Sequence, residues 1–206
     1  MTPPGEPPVV RRASAADLPA LAAMLARAFL DDPVASWAFP HAGARPRALE
    51  RFQAIRLRQL IADDEIWTTD DLRCAALWAP PGGWRLGLRG DAQIFPCFMH
   101  PRLIARMPRA AVGWSLLERH HPRGPLHFYL AVLGTEPSAQ GQGLGSAVLR
   151  EVLDQCDRDG VAAYLESSKE RNVDFYARHG FRLEGELRLL GGPPVWPMWR
   201  DPRPAA

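Results

Sequence analysis

Residues 140–146 read QGQGLGS, with glycines at 141, 143 and 145. Small residues in alternation let backbone N–H groups converge on an anion. A helix that begins directly behind them adds the positive end of its dipole. A Walker loop, GxxxxGK[ST], needs a lysine for the terminal phosphates, and none is present. A dinucleotide fingerprint needs GxGxxG, yet the third position falls on Ser146 in one register and on Val148 in the other. Glu166 sits near the spacing at which that motif places its acidic residue, which keeps a dinucleotide as a weaker alternative. Two readings remain beside it: a pyrophosphate carried on something longer, as in coenzyme A, and a tight strand-to-helix turn without ligand. The loop alone leaves these open.

The elements around the loop are legible. LHFYLAVLG (126–134) reads as a strand covered on both faces, because almost nothing polar interrupts it. LGSAVLREVLDQCDRDG follows as a helix with Leu144, Val148, Val152 and Cys156 on one face and Gly160 as its stop. VAAYLES is the next strand, with Ala162, Tyr164 and Glu166 on one face and Ala163 and Leu165 on the other. NVDFYARHG is a helix ended by Gly180, FRLEGELRLL a strand, and PVWPMWR a last strand. Upstream, PPVVRR gives a short strand. SAADLPALAAMLARAFLDD gives a helix with Ser14 and Asp17 at its start, and a second helix runs from about Pro46 to Ile61. EIWTTDD and LRCAALWAP form a hairpin turning at Asp70-Asp71, and residues 85–122 are a mixed, mainly helical stretch. Strand, loop, helix, strand, helix, strand in that order demands an α/β layered fold. One domain over 9–200 accommodates all of it, with irregular tips at 1–8 and 201–206 where prolines crowd.

Composition removes several function classes. A net charge of +2 does not point to a nucleic-acid partner. No apolar run reaches the ~18–20 residues that span a bilayer. Cys74, Cys97 and Cys156 are odd in number and far apart, so neither a disulfide framework nor a zinc site is expected. A reducing, cytoplasmic setting is the default expectation, without membrane, metal or nucleic acid.

Gln140-Gly141-Gln142-Gly143-Leu144-Gly145 matches the Q/R-x-x-G-x-G/A acyl-CoA loop of the GNAT N-acetyltransferase superfamily. The likeness extends through LHFYLAVLGTEPSAQGQGLGSAVL, YLESS and RNVDFYARHGF, and resembles the branch containing puromycin N-acetyltransferase. It implies a mixed sheet of six to seven strands, flanked by helices on both faces, whose central parallel pair splays to admit acetyl-CoA as acyl donor. The backbone of Leu133, Gly134 and Thr135 would pair with the pantetheine arm, with bare Gly134 allowing close approach. Gln140, Gly141, Gln142, Gly143, Leu144, Gly145 and Ser146 would form the pyrophosphate loop, and Asn172 would contact the cofactor arm.

Tyr176, four residues from Asn172 on one helix face, falls where the family keeps a tyrosine proton donor. A phenol (pKa about 10) outlasts a thiol (about 8.5) and can protonate the departing thiolate. Glu166 is the candidate base or amine-orienting carboxylate. His120 and His121 read as a helix end with a structural role, and His127 as a strand residue with a weak claim to the acceptor side. Asp31 and Asp32, with Phe29 and Trp37, fall where relatives build the acceptor pocket, and Trp78 and Trp84 are further candidates for its wall. The reaction implied is direct acetyl transfer to a primary amine of a small molecule, antibiotic or aminonucleoside-like compounds among the options. A non-catalytic acyl-CoA sensor is the alternative, and dimers are common among relatives.

Overall fold

The computed structural model describes residues 7–63, 65–85 and 92–203. Most of both expected irregular tips (1–6 and 204–206), and residues 86–91 of the mixed stretch, lie outside these.

Eight strands form the sheet: β1 Val10–Arg12, β2 Ile66–Thr69, β3 Cys74–Ala79, β4 His127–Thr135, β5 Ala162–Ser167, β6 Arg182–Leu183, β7 Leu187–Arg188 and β8 Pro194–Arg200. Their order is β1-β2-β3-β4-β5-β8-β6, with β7 also on β8. The count exceeds the expected six to seven because FRLEGELRLL is not one strand. It breaks into β6 and β7 around Gly185, whose φ of 151° suits glycine. β8 inserts between β5 and β6, so the last strand of the chain lies against the strand that carries Glu166.

α1 Leu18–Ala28 and α3 Arg45–Leu60 pack on one face of the sheet, with α2 Pro33–Ala38 between them in sequence. The first helix is shorter than expected. A 3-10 turn over Ala15–Asp17 precedes it, where the Asp17 carboxylate accepts from the Ser14 N–H at 2.8 Å. Its C-terminal end gives way at Phe29 to a corner leading into α2. α4 Met107–His120 lies in the mixed stretch. On the opposite face, α5 Leu144–Asp159 buries Leu144, Val148, Val152 and Cys156 as its spacing predicts. With α6 Val173–Arg178 it closes a core against Phe128, Leu130, Ala163 and Leu165. Each fully buried Leu or Val there contributes roughly 2 kcal/mol of hydrophobic stabilisation.

The one parallel pairing of the described sheet, β4 with β5, opens the molecule. His127 to Leu130 pair with Ala162 to Leu165, and the ladder then stops although both strands continue. β4 carries a bulge at this point: Trp78 pairs with Leu130 and Leu77 with Val132, leaving Ala131 extra. A bulge bends and twists its strand, and here it steers residues 131–135 away from β5. Beyond the split, β5 pairs only with β8 (Glu166 with Pro197, Ser167 with Trp196). Among the described residues, no helix is long and apolar enough to cross a membrane.

Candidate active site

The split between β4 and β5 is a cleft of about 460 Å³. Leu133, Gly134 and Thr135 hydrogen-bond to β3 on one side only, which leaves the cleft-side edge of β4 without a strand partner among the described residues. Such an edge can take up an extended amide-bearing ligand as an added strand. Gly134 corrects one expectation. A Cβ there would lie 2.5 Å from Leu25 Cδ2 and 3.2 Å from Phe29 Cε2. Its bareness therefore lets α1 approach the sheet, and the ligand edge is formed by its backbone alone.

The glycine loop follows from β4 through a 3-10 turn at Pro137–Ala139. Gly141 and Gly143 both have φ of 79°, a conformation that side-chain-bearing residues rarely adopt, and a Cβ on either would project into open space. Gly143 is also the N-cap of α5 and brings no side chain to cap it. The first-turn N–H groups of a helix have no partner within it, so those of α5 are left for an anion. Bare backbone, left-handed glycines and an uncapped dipole of a 16-residue helix fit a pyrophosphate. Every residue expected to bind the donor lines the cleft except Gln142. Gln142 instead ties the loop together, donating to the Ser138 carbonyl at 3.4 Å and accepting from Arg73 at 3.5 Å. Gln140 donates to the Thr135 carbonyl at 3.4 Å. Lys169, Arg171 and Arg178 also line the cleft and add cationic charge. The SSKERN segment held this signal, but only the fold brings it opposite the loop.

Tyr176 and Asn172 line the same cleft, one turn apart. The Tyr176 ring packs against Phe175 and Phe181, and among the described residues no hydrogen bond reaches its hydroxyl. Burial, then the negative charge of Asp32, raises the phenol above its ordinary value, so it stays protonated and available as a donor.

Glu166 reaches the cleft from β5 with its side chain 6 % exposed. Tyr129 and Tyr164 each bring a hydroxyl to its carboxylate. Burial first, then the charge of Glu166, and with them hydrogen bonding to it, hold both phenols well above their ordinary value. His121 Nδ1 lies 3.7 Å from Glu166 Oε1. His121 was expected to be an ordinary helix end. It is instead buried, stacked on Trp84 with ring centroids 3.7 Å apart, and in contact with His127. No sequence spacing signals this, since residues 84, 121, 127, 129, 164 and 166 meet only through the fold. His120, by contrast, is a helix end, with Nδ1 donating to the Leu116 carbonyl at 2.9 Å.

Asp32, expected in the acceptor pocket, lines the cleft but holds its carboxylate in place with its own partners. It is 2 % exposed and caps α2, accepting from the Val34 and Ala35 N–H groups at 2.9 and 3.1 Å. Its other oxygen accepts from Ser168 Oγ, which straps the α1–α2 corner to the end of β5 across the cleft. Phe29 lines the cleft as expected, while Trp37 packs against Gly113 and Gly192 instead. Trp78 is a core residue with no exposure.

Known proteins share this fold. The acetyltransferase (GNAT) family model matches residues 65–181. An uncharacterised N-acetyltransferase of Schizosaccharomyces pombe is 27 % identical over 196 residues, covering 87 % of this chain and 76 % of that one. The N-alpha-acetyltransferase RimI of Mycobacterium tuberculosis is 31 % identical over 102 residues, 47 % of this chain and 63 % of its own. Among solved structures, a histone acetyltransferase HPA2 and related acetyltransferase from Corynebacterium glutamicum superposes with a TM-score of 0.70 at 27 % identity. That match covers 98 % of this chain and 99 % of the other. With the family's sequence pattern over more than half its length and the splayed sheet of its structures, the chain belongs to the acetyltransferase (GNAT) family and is an enzyme of that type.

Proposed function

We propose that the protein transfers acetyl from acetyl-CoA directly to the primary amine of a small molecule. One observation carries this reading: an uncapped helix N-terminus, a free strand edge, Tyr176 and Glu166 all line one cleft. The donor supplies a thioester, whose carbonyl carbon is the electrophile. In the transfer a C–N bond forms and the C–S bond breaks. Glu166 takes the proton the amine loses, and Tyr176 gives its proton to the departing thiolate and regains one from solvent. The β4 edge and the glycine loop hold the donor so that both groups meet the reacting atoms. Phe29 and Leu130, which line the cleft together with Glu166, favour an amine carried on an apolar body. This suits the likeness of RNVDFYARHGF to the puromycin N-acetyltransferase branch.

A coenzyme-release assay over a panel of puromycin, tyramine, spermidine, a lysine ester and a short peptide with a free N-terminus tests the proposal. Turnover of puromycin or tyramine above the peptide is expected. Turnover confined to the peptide would overturn the small-molecule reading. Failure to bind acetyl-CoA in calorimetry would overturn the donor assignment.

A further inference from the structure

The buried polar residues behind Glu166 form a chain whose hydrogen positions follow from one fixed end. His127 Nδ1 lies 2.8 Å from the Pro125 carbonyl oxygen, which can only accept, so the His127 proton sits on Nδ1. Burial, followed by the neighbouring His121, lowers the affinity of His127 for a second proton, and its Nε2 stays bare. His121 Nε2 is 3.0 Å from that bare nitrogen and must donate to it. A neutral His121 therefore has its single proton on Nε2, and its bare Nδ1 lies 3.7 Å from Glu166 Oε1. The two acceptor atoms stand near each other without a proton between them, in side chains that are 3 % and 6 % exposed. One added proton converts that apposition into an ion pair.

We infer, on the basis of the function proposed above, that Glu166 and His121 act as one proton-holding pair, with His127 fixing the tautomer that leaves His121 Nδ1 free. Glu166 touches the acceptor amine in the cleft and takes its proton. The proton comes to rest on His121 Nδ1, leaving a carboxylate beside an imidazolium, and returns through Glu166 to the cleft once the product has left. His121 acts through Glu166 and is a positioning residue in this sense, not a contact for substrate.

The surroundings suit a transient cation. Trp84 stacks on the His121 ring at an interplanar angle of 20°. Tyr129 and Tyr164 meet it edge-on at 4.8 Å while their hydroxyls serve Glu166. Among the described residues the charged groups nearby are Glu166 from β5, Arg56 from α3, whose charge reaches Tyr129, and Arg85 over the Trp84 ring at 4.8 Å. Titratable neighbours are His127 and Tyr129 from β4 and Tyr164 from β5.

Imidazole 15N NMR of the full chain tests the pair without needing an acceptor. At pH 8 His127 should carry its proton on Nδ1 and His121 on Nε2. In Glu166→Gln the His121 Nδ1 resonance should shift while that of His127 Nδ1 stays in place, because the carboxylate beside His121 is gone. A neutral His121 protonated on Nδ1, or a His121 Nδ1 resonance unmoved by E166Q, would overturn the inference. The second arm uses the fastest acceptor of the amine panel and follows kcat/KM against pH in His121→Gln. Glutamine keeps a donor toward His127 but has no titrating nitrogen. The ascending limb should move to lower pH, and the plateau should fall roughly tenfold. A lowered plateau with an unmoved limb would mark a purely structural role and overturn the pair. Absence of any turnover by the wild type would instead break the proposed function, and the NMR result would still decide the pair.

Discussion

The two walls of the cleft are built by opposite means. The donor wall is nearly continuous in sequence, running from Leu133 through the glycine loop into α5, and it offers backbone: a free strand edge and uncapped helix amides. On the proposed function the acceptor wall offers the Glu166 side chain, backed by buried residues gathered from residue 84, the end of α4, β4 and β5. A phosphate-bearing donor can be met by N–H groups that every residue owns, so local conformation suffices. An amine that must lose a proton needs particular titrating groups in a dry place, and those are collected by topology.

That division can be broken most sharply at Glu166. Glu166→Gln should lower kcat/KM about 10²–10³-fold, the scale of a lost general base, while acetyl-CoA affinity by calorimetry stays as in the wild type. A variant that loses donor binding instead would show that the walls are not separable. Tyr176→Phe should reduce kcat about 10–100-fold with the KM for acetyl-CoA unmoved, since only the hydroxyl facing the cleft is removed. Gly143→Ala should do the reverse. Forcing a side chain to φ of 79° costs roughly 1–2 kcal/mol, so acetyl-CoA should bind about tenfold more weakly, with kcat at saturating donor preserved. Ser168→Ala removes the strap between β5 and the α1–α2 corner. Urea unfolding should show a loss of about 1.5–3 kcal/mol, the range for a hydrogen bond to a charged acceptor.

The smallest effect is a pH dependence of stability. His127 and His179 both bind a second proton less readily when folded, chiefly through burial. Below the ordinary histidine value of about 6.5 the unfolded chain takes up protons that these two resist. Their contribution to stability is therefore complete above that pH and is lost as the pH falls toward the folded values. Urea midpoints should decline from about pH 6.5 downward, and less so in His179→Asn, where one of the two is gone.

Much of the frame was legible in residue order. The spacing of Leu144, Val148, Val152 and Cys156 placed α5, and Gly160 with φ of 68° ended it. The alternation in VAAYLES put Glu166 on the same face as Tyr164, where the structure has it. Other features could not be read there. Gly185 splits an apparent strand because its backbone conformation, not its neighbours' hydropathy, ends β6. Asp32 was expected in the acceptor pocket and is a buried cap with Ser168 as its second partner, 136 residues away. Gly134 looked reserved for a ligand and is bare because Leu25 and Phe29 of the first helix and its corner press on it.

The sequence by itself determined the frame and a loop shaped for an anion, because a glycine loop, a helix stripe and a strand alternation are short-range patterns whose physics acts within a few residues. Only the tertiary structure decided which histidine stands behind Glu166 and which aspartate straps the cleft. It alone also decided where the sheet parts. Those outcomes depend on a bulge at Ala131, on β8 entering beside β5, and on burial that turns ordinary polar side chains into partners of one another.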